Sequence, residues 1–105
     1  MKINIAPFSI NKAWQGRRFA TKAYKDWTED MLMSMPRKEM VKGNISVNIN
    51  LYLKSIVRGD IDNFLKPIMD CMVKKGWIED DRYIQEISVK KIKTSSEEFI
   101  EIEII

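Results

Sequence analysis

An α+β fold, a single domain in which one mixed four-stranded sheet carries two helices packed on it, is what this chain predicts. Three observations carry that expectation. Residues 45–54 alternate strictly between apolar and polar, the mark of a strand with one buried face. Residues 19–35 and 63–75 set apolar side chains at steps of three and four, the mark of helices lying on a core. Shorter alternating runs near both ends supply the remaining strands, so the order reads β-α-β-α-β-β. At 105 residues, with 45% hydrophobic content and no repeat, linker or low-complexity tract, residues 1–105 are expected to be one domain.

Lys2 to Ile5 alternates and forms the first expected strand. Pro7 and Gly16 then bracket a loop, PFSINKAWQGRR, where Lys12, Arg17 and Arg18 surround Trp14. Cations mixed with a ring suit a loop that tracks phosphates; the same residues equally suit an apolar lid with exposed arginines. From Phe19 the apolar positions 20, 23, 24, 27 and 31 predict a helix, with Lys22 and Lys25 off its stripe, and Pro36 ends it. Met31, Met33 and Met35 read as flexible core filler. Lys42-Gly43-Asn44 signals a turn before the strand at 45–54.

The second helix, 63–75, sets Phe64, Ile68, Met69 and Met72 on one side, and Gly76 stops it after Lys74 and Lys75. Pro67 predicts an irregular first turn, or a start shifted towards Phe64. A third strand over 84–93 and a fourth over 99–105 flank the turn Thr94-Ser95-Ser96. Lys90, Lys91 and Lys93 are expected to pair across that turn with Glu101 and Glu103.

Composition excludes several chemistries. There is no histidine and a single cysteine, Cys71, so histidine-based triads, HExxH sites, disulfide frameworks and multi-cysteine zinc sites all fall away. A metal here needs oxygen ligands, which means a hard cation: Mg²⁺, with Mn²⁺ as a substitute. No small-molecule cofactor motif appears. Nor does any apolar run approach about 18 residues, or a leader pattern, so a soluble, cytoplasmic protein without membrane contact is expected. Residues 1–43 hold nine Lys/Arg against four Asp/Glu, and residues 95–105 hold none against four. A basic N-terminal half suits a polyanionic partner such as nucleic acid.

Ionisable side chains concentrate between Arg58 and Arg82. Asp60 and Asp62 are spaced so that extended backbone turns both to one side, able to address one ion together. Asn63 follows, and Lys66 falls one helical turn after Asp62 on the same face. Strand pairing is expected to carry Asp81, from the pair Asp80-Asp81, to the same sheet end. Three carboxylates hold Mg²⁺ with positions to spare for water and a phosphate oxygen. Lys66 would balance them, anchor a phosphate or offset transition-state charge. The competing reading makes Asp62 and Asn63 a helix cap, Gly59-Asp60 a turn and Glu79-Asp80-Asp81 an exposed turn.

The run Asp60-x-Asp62-Asn63-x-x-Lys66, followed by Asp70, Gly76 and Asp80-Asp81, resembles the RusA family of Holliday junction resolvases. The PFSIN segment with GRR resembles that family's N-terminal part more weakly. The resemblance implies a homodimeric, Mg²⁺-dependent endodeoxyribonuclease that resolves four-way DNA junctions by paired symmetric cleavage. It implies that Asp60, Asp62 and Asp81 ligate the metal and are catalytic, and that Lys66 is an essential basic residue near the scissile phosphate. Asn63, Asp70 and Asp80 would support them, and Lys12, Arg17, Arg18, Lys22, Arg58 and Lys66 would contact DNA. Two departures stand out: where family members can carry a run of arginines just before the motif's first aspartate, only Lys54 and Arg58 stand just before Asp60, and Pro7-Phe8 replaces a Pro-Pro pair. A branched- or duplex-DNA-binding module of the same fold without catalysis is the alternative.

Overall fold

The computed structural model describes residues 1–10, 14–15 and 19–105, without the side chains of 14–15 and 19–20. Lys12, Arg17, Arg18 and the Trp14 side chain therefore lie outside the described residues. The elements run β1 (Lys2–Ile3), β2 (Trp14–Gln15), β3 (Phe19–Ala20), α1 (Lys22–Ser34), β4 (Ile45–Leu53), α2 (Ile61–Lys74), a 3₁₀ turn (Asp81–Tyr83), β5 (Ile84–Lys93) and β6 (Phe99–Ile104). The expected order holds, with a small β2–β3 hairpin added. That hairpin corrects the start of the first helix: Phe19 and Ala20 pair with Gln15 and Trp14. Helix α1 begins after Thr21, whose hydroxyl accepts from the Tyr24 amide at 3.2 Å.

One mixed sheet has the order β1-β6-β4-β5. β4 is central because both its flanks are paired, parallel to β5 and antiparallel to β6. Its inner residues Ile45, Val47, Ile49, Leu51 and Leu53 are buried and share one core with Trp27 and Met31 of α1 and Phe64, Ile68 and Met72 of α2. Two indoles tie down the loops around this core. Trp27 donates to the Ala6 carbonyl at 2.7 Å and Trp77 to the Pro36 carbonyl at 2.9 Å.

The strand order overturns the expected pairing of Lys90, Lys91 and Lys93 with Glu101 and Glu103, because β4 lies between β5 and β6. The 94–98 connection passes over the end of β4, where the Thr94 amide bonds the Leu53 carbonyl at 2.9 Å. Glu101 and Glu103 stand opposite Asn50 and Asn48 instead. On this outer face Tyr52 stacks on Phe99 with ring centroids 4.0 Å apart and donates to Glu101 at 2.6 Å.

β4, α2 and β5 form a β-α-β crossover. Parallel pairing requires a connection that returns the full length of the first strand, and α2 supplies it. Helix α2 starts at Ile61, two residues before the expected start, and buries Phe64, Pro67, Ile68, Cys71 and Met72. Pro67 and Cys71 take the place expected for Met69. The irregular first turn is present: the Asn63 amide bonds the Asp60 carbonyl at 3.0 Å, an i to i−3 bond. Pro67 has no N–H with which to close the regular bond to the Asn63 carbonyl.

Candidate active site along the second helix

The loop between β4 and α2 delivers Asp60, and it is held from both neighbouring strands. From β5, the Lys91 ammonium donates to the carbonyls of Ile56, at 3.0 Å, and Gly59. Just before β6, Glu98 accepts from the Lys54 amide at 2.8 Å and pairs with the Arg58 guanidinium at 3.1 Å. Gly59 has φ +70°, and an added Cβ would stand 3.0 Å from two carbons of the buried Phe64 ring. Asp60 follows in extended backbone at the N-cap of α2.

The side chain of Asp60 makes no capping hydrogen bond, and Asp62 lies inside the first turn rather than at the cap. Capping therefore does not account for either carboxylate. Both are exposed and neither joins an ion pair among the described residues. Carboxylates in the first helical turn also face the positive end of the helix dipole.

Further along α2, Lys66 meets two carboxylates. Its ammonium is 3.0 Å from Asp70, four residues on, and 3.8 Å from Asp81 in the 3₁₀ turn. The hydrogen bond to Asp70 holds the Lys66 ammonium above the usual lysine range, with smaller help from charge on Asp70 and Asp81. Lys66, Asp70, Asp80 and Asp81, with Val73 and Lys74, line a shallow cleft of about 260 Å³. A larger groove, about 790 Å³, is lined by Lys2, Lys54, Arg58, Glu98 and Phe99 and so borders the Asp60 loop.

The acidic turn divides its work. Glu79 accepts from the Gly43 amide at 2.9 Å, and Asp80 caps the 3₁₀ turn by accepting from the Arg82 amide at 3.0 Å. That backbone bond, first among its causes, lowers the Asp80 carboxyl below the usual range. Asp81 is the one directed at Lys66.

Asp81 does not reach the sheet end that carries Asp60. Ile84 pairs with Ile45, the first residue of β4, whereas Asp60 follows Leu53, its last. Parallel pairing separates the two sheet ends, and α2 joins them by running back with Asp62 near its start and Asp70 in its last half. Among the described residues no three His, Cys, Asp or Glu side chains are grouped closely enough to hold a metal ion. Of the candidate DNA contacts, Arg58 is paired with Glu98, and Lys22 bonds Asp26 at 2.8 Å on the exposed face of α1. Asn63 is half-buried beside Phe64 in sequence.

Sequence reasoning set Lys91 in a cross-turn pair with the β6 glutamates and passed over Glu98. Lys91 carried a signal, because it breaks the inward series Ile87, Val89 that its register opposite Leu51 continues. Glu98 carried none, since its partners lie 40 or more positions away in the chain.

The family described as "Endodeoxyribonuclease RusA" matches residues 9–105. The chain belongs to the RusA family. Within that family, "Crossover junction endodeoxyribonuclease RusA" of Aquifex aeolicus (strain VF5) is 35% identical over 88 residues, covering 78% of this chain and 68% of the relative. Membership makes this RusA-family chain an endodeoxyribonuclease, and the matched region takes in the Asp60 loop, α2 and the Asp81 turn. No helix among the described residues is long and apolar enough to cross a membrane.

Proposed function

We propose that this RusA-family chain is a Mg²⁺-dependent, structure-selective endodeoxyribonuclease that resolves four-way DNA junctions by paired symmetric cleavage. One observation carries the proposal furthest: Asp60 ends a doubly tethered loop, yet its carboxylate caps nothing. A charge held in place without a structural partner is available to a ligand.

The donor set fits a hard cation, being all carboxylate oxygen, with Asp60 and Asp62 clear of ion pairs and Asp80 already occupied as a cap. Asp60, Asp62 and Asp81 would hold Mg²⁺, or Mn²⁺ in its place. Because Asp81 stands beside Lys66 and not at the sheet end that carries Asp60, joining the other two would require it both to release Lys66 and to move with its turn towards the start of α2. When bound, such a metal supplies an activated water and polarises the scissile phosphate. Lys66 would meet the phosphate's charge as a point cation. Lys12, Arg17, Arg18, Lys22 and Arg58 are proposed to contact branched DNA. Two symmetric nicks call for two identical sites related by a two-fold axis, so the proposal includes a homodimer. It also places the enzyme in the cytoplasm.

Asp60→Asn and Asp62→Asn should abolish Mg²⁺-dependent nicking of a synthetic four-way junction, with junction binding in Ca²⁺ retained. Nicking at the wild-type rate in either variant would overturn the assignment.

A further inference from the structure

We propose that Ile56 and Val57 form an apolar wedge that enters the base stack of branched DNA beside the cut site. The proposal rests on Asp60 marking that site, as set out above. Val57 is 87% exposed and Ile56 46%, and they follow one another at the tip of the loop between β4 and α2. Scattered exposed apolar residues need no explanation. These two do, because of the backbone that carries them. The Arg58 amide donates to the Ser55 carbonyl at 3.3 Å, which makes Ile56 and Val57 the two central residues of a β-turn. Turn centres favour Gly, Pro, Asn, Asp and Ser, whereas β-branched apolar side chains suit strands. Sequences break such a local rule chiefly at functional sites.

The tip is also held by its backbone. The Lys91 ammonium donates to the Ile56 carbonyl at 3.0 Å and to the Gly59 carbonyl, so the turn is fastened to β5 while its apolar side chains stay exposed. A fastened tip keeps its shape against a ligand. Lys54 and Arg58, both exposed, flank it in the chain. Cations that position phosphates beside an apolar group that parts the bases are the means by which proteins kink DNA. In an endodeoxyribonuclease these flanking charges favour DNA over an apolar protein surface as what meets the tip. Val57 and Asp60 are three residues apart, a reach of at most about 11 Å. At about 3.4 Å per nucleotide of a strand, the wedge parts bases within about three steps of the phosphate at Asp60. A continuous duplex must be unstacked to admit it, whereas stacking is already interrupted at a branch point, so the wedge favours junctions.

The test is the fluorescence of 2-aminopurine placed at successive positions around the branch point of a synthetic four-way junction, with Ca²⁺ in place of Mg²⁺. Saturating wild type should raise the emission several-fold at one or more positions, as a base leaves the stack. The double variant Ile56→Ser, Val57→Ser should lose most of that rise, and Val57→Leu, which keeps the apolar bulk, should retain it. Both positions are exposed, so the variants should melt with wild type. The preference for junction over duplex in competition binding should fall roughly tenfold in the double variant. An equal rise in the double variant, an unchanged preference, or no rise with wild type overturns the proposal. So does a loss of emission that accompanies a fall from dimer to monomer in sedimentation, because the tip then meets a second copy of the chain. If wild type raises the emission but cuts nothing in Mg²⁺, the proposed function falls and the wedge stands.

Discussion

Lys91 donates its ammonium to the carbonyl of Gly59, the residue directly before Asp60. The contact links β5 to the loop that leaves its neighbour β4, and Glu98 makes the matching link from the β6 side. The loop that carries the proposed metal-ligating Asp60 is thus held by charges from β5 and from the residue just before β6. Lys91→Met keeps the apolar stem and removes the tether. We expect cleavage to fall by roughly tenfold as Asp60 loses its fixed approach, with little change in Tm because the ammonium is exposed. Cleavage at the wild-type rate would show that the tether is incidental.

Gly59 allows that approach. Its φ of +70° is unfavourable for any residue with a Cβ, and the nearest obstacle, the Phe64 ring, is 1% exposed and has nowhere to go. Gly59→Ala should lower Tm by roughly 5–10 °C, from about 1–2 kcal/mol of left-handed backbone strain in a domain this size. A melt indistinguishable from wild type would mean that the loop re-forms at no cost.

Much of this was legible in the chain, and the exceptions share a cause. The alternation through Ile45 and Leu53 and the spacing through Phe64 and Met72 are local patterns, so β4 and α2 could be read directly. The two-residue strands at Trp14 and Phe19 are too short to carry a period. Sequence proximity suggested that β5 would pair with β6, but β4, the strand with a wholly buried inner face, takes the position between them. That same parallel pairing moved Asp81 from the sheet end to the flank of α2. Motif spacing located the ionisable residues, whereas the contacts that hold their loop, Lys91 with Gly59 and Glu98 with Arg58, join distant segments.

On the outer face of the sheet, Tyr52 and Glu101 give a pH-dependent contribution. The Tyr52 hydroxyl, the largest cause, lowers the Glu101 carboxyl below its usual range. A depressed folded value stabilises above the unfolded carboxylate range and is lost as pH falls through the folded value. Tyr52→Phe should therefore lower Tm at pH 7, with the difference from wild type closing below about pH 4. A gap that stays constant down to pH 3 would show that the hydroxyl does not act through the Glu101 charge.

Burial pushes the Cys71 thiol up to about 11, with Lys74 opposing and Asp70 adding to the shift. At pH 8 almost no thiolate exists, and the side chain is 1% exposed. Reaction with a thiol reagent should be negligible in native buffer and complete in denaturant. Rapid labelling of the folded protein would show that the α2 seam opens.

Cleavage of a supercoiled plasmid carrying an extruded cruciform tests the central claim most directly. Two nicks within one binding event convert the circle to linear DNA, whereas unpaired nicks leave a relaxed circle. We expect linear product in Mg²⁺ and none in EDTA. Relaxed circles alone would contradict paired cleavage, and intact supercoiled plasmid in Mg²⁺ would contradict the assignment of junction-resolving activity to this chain.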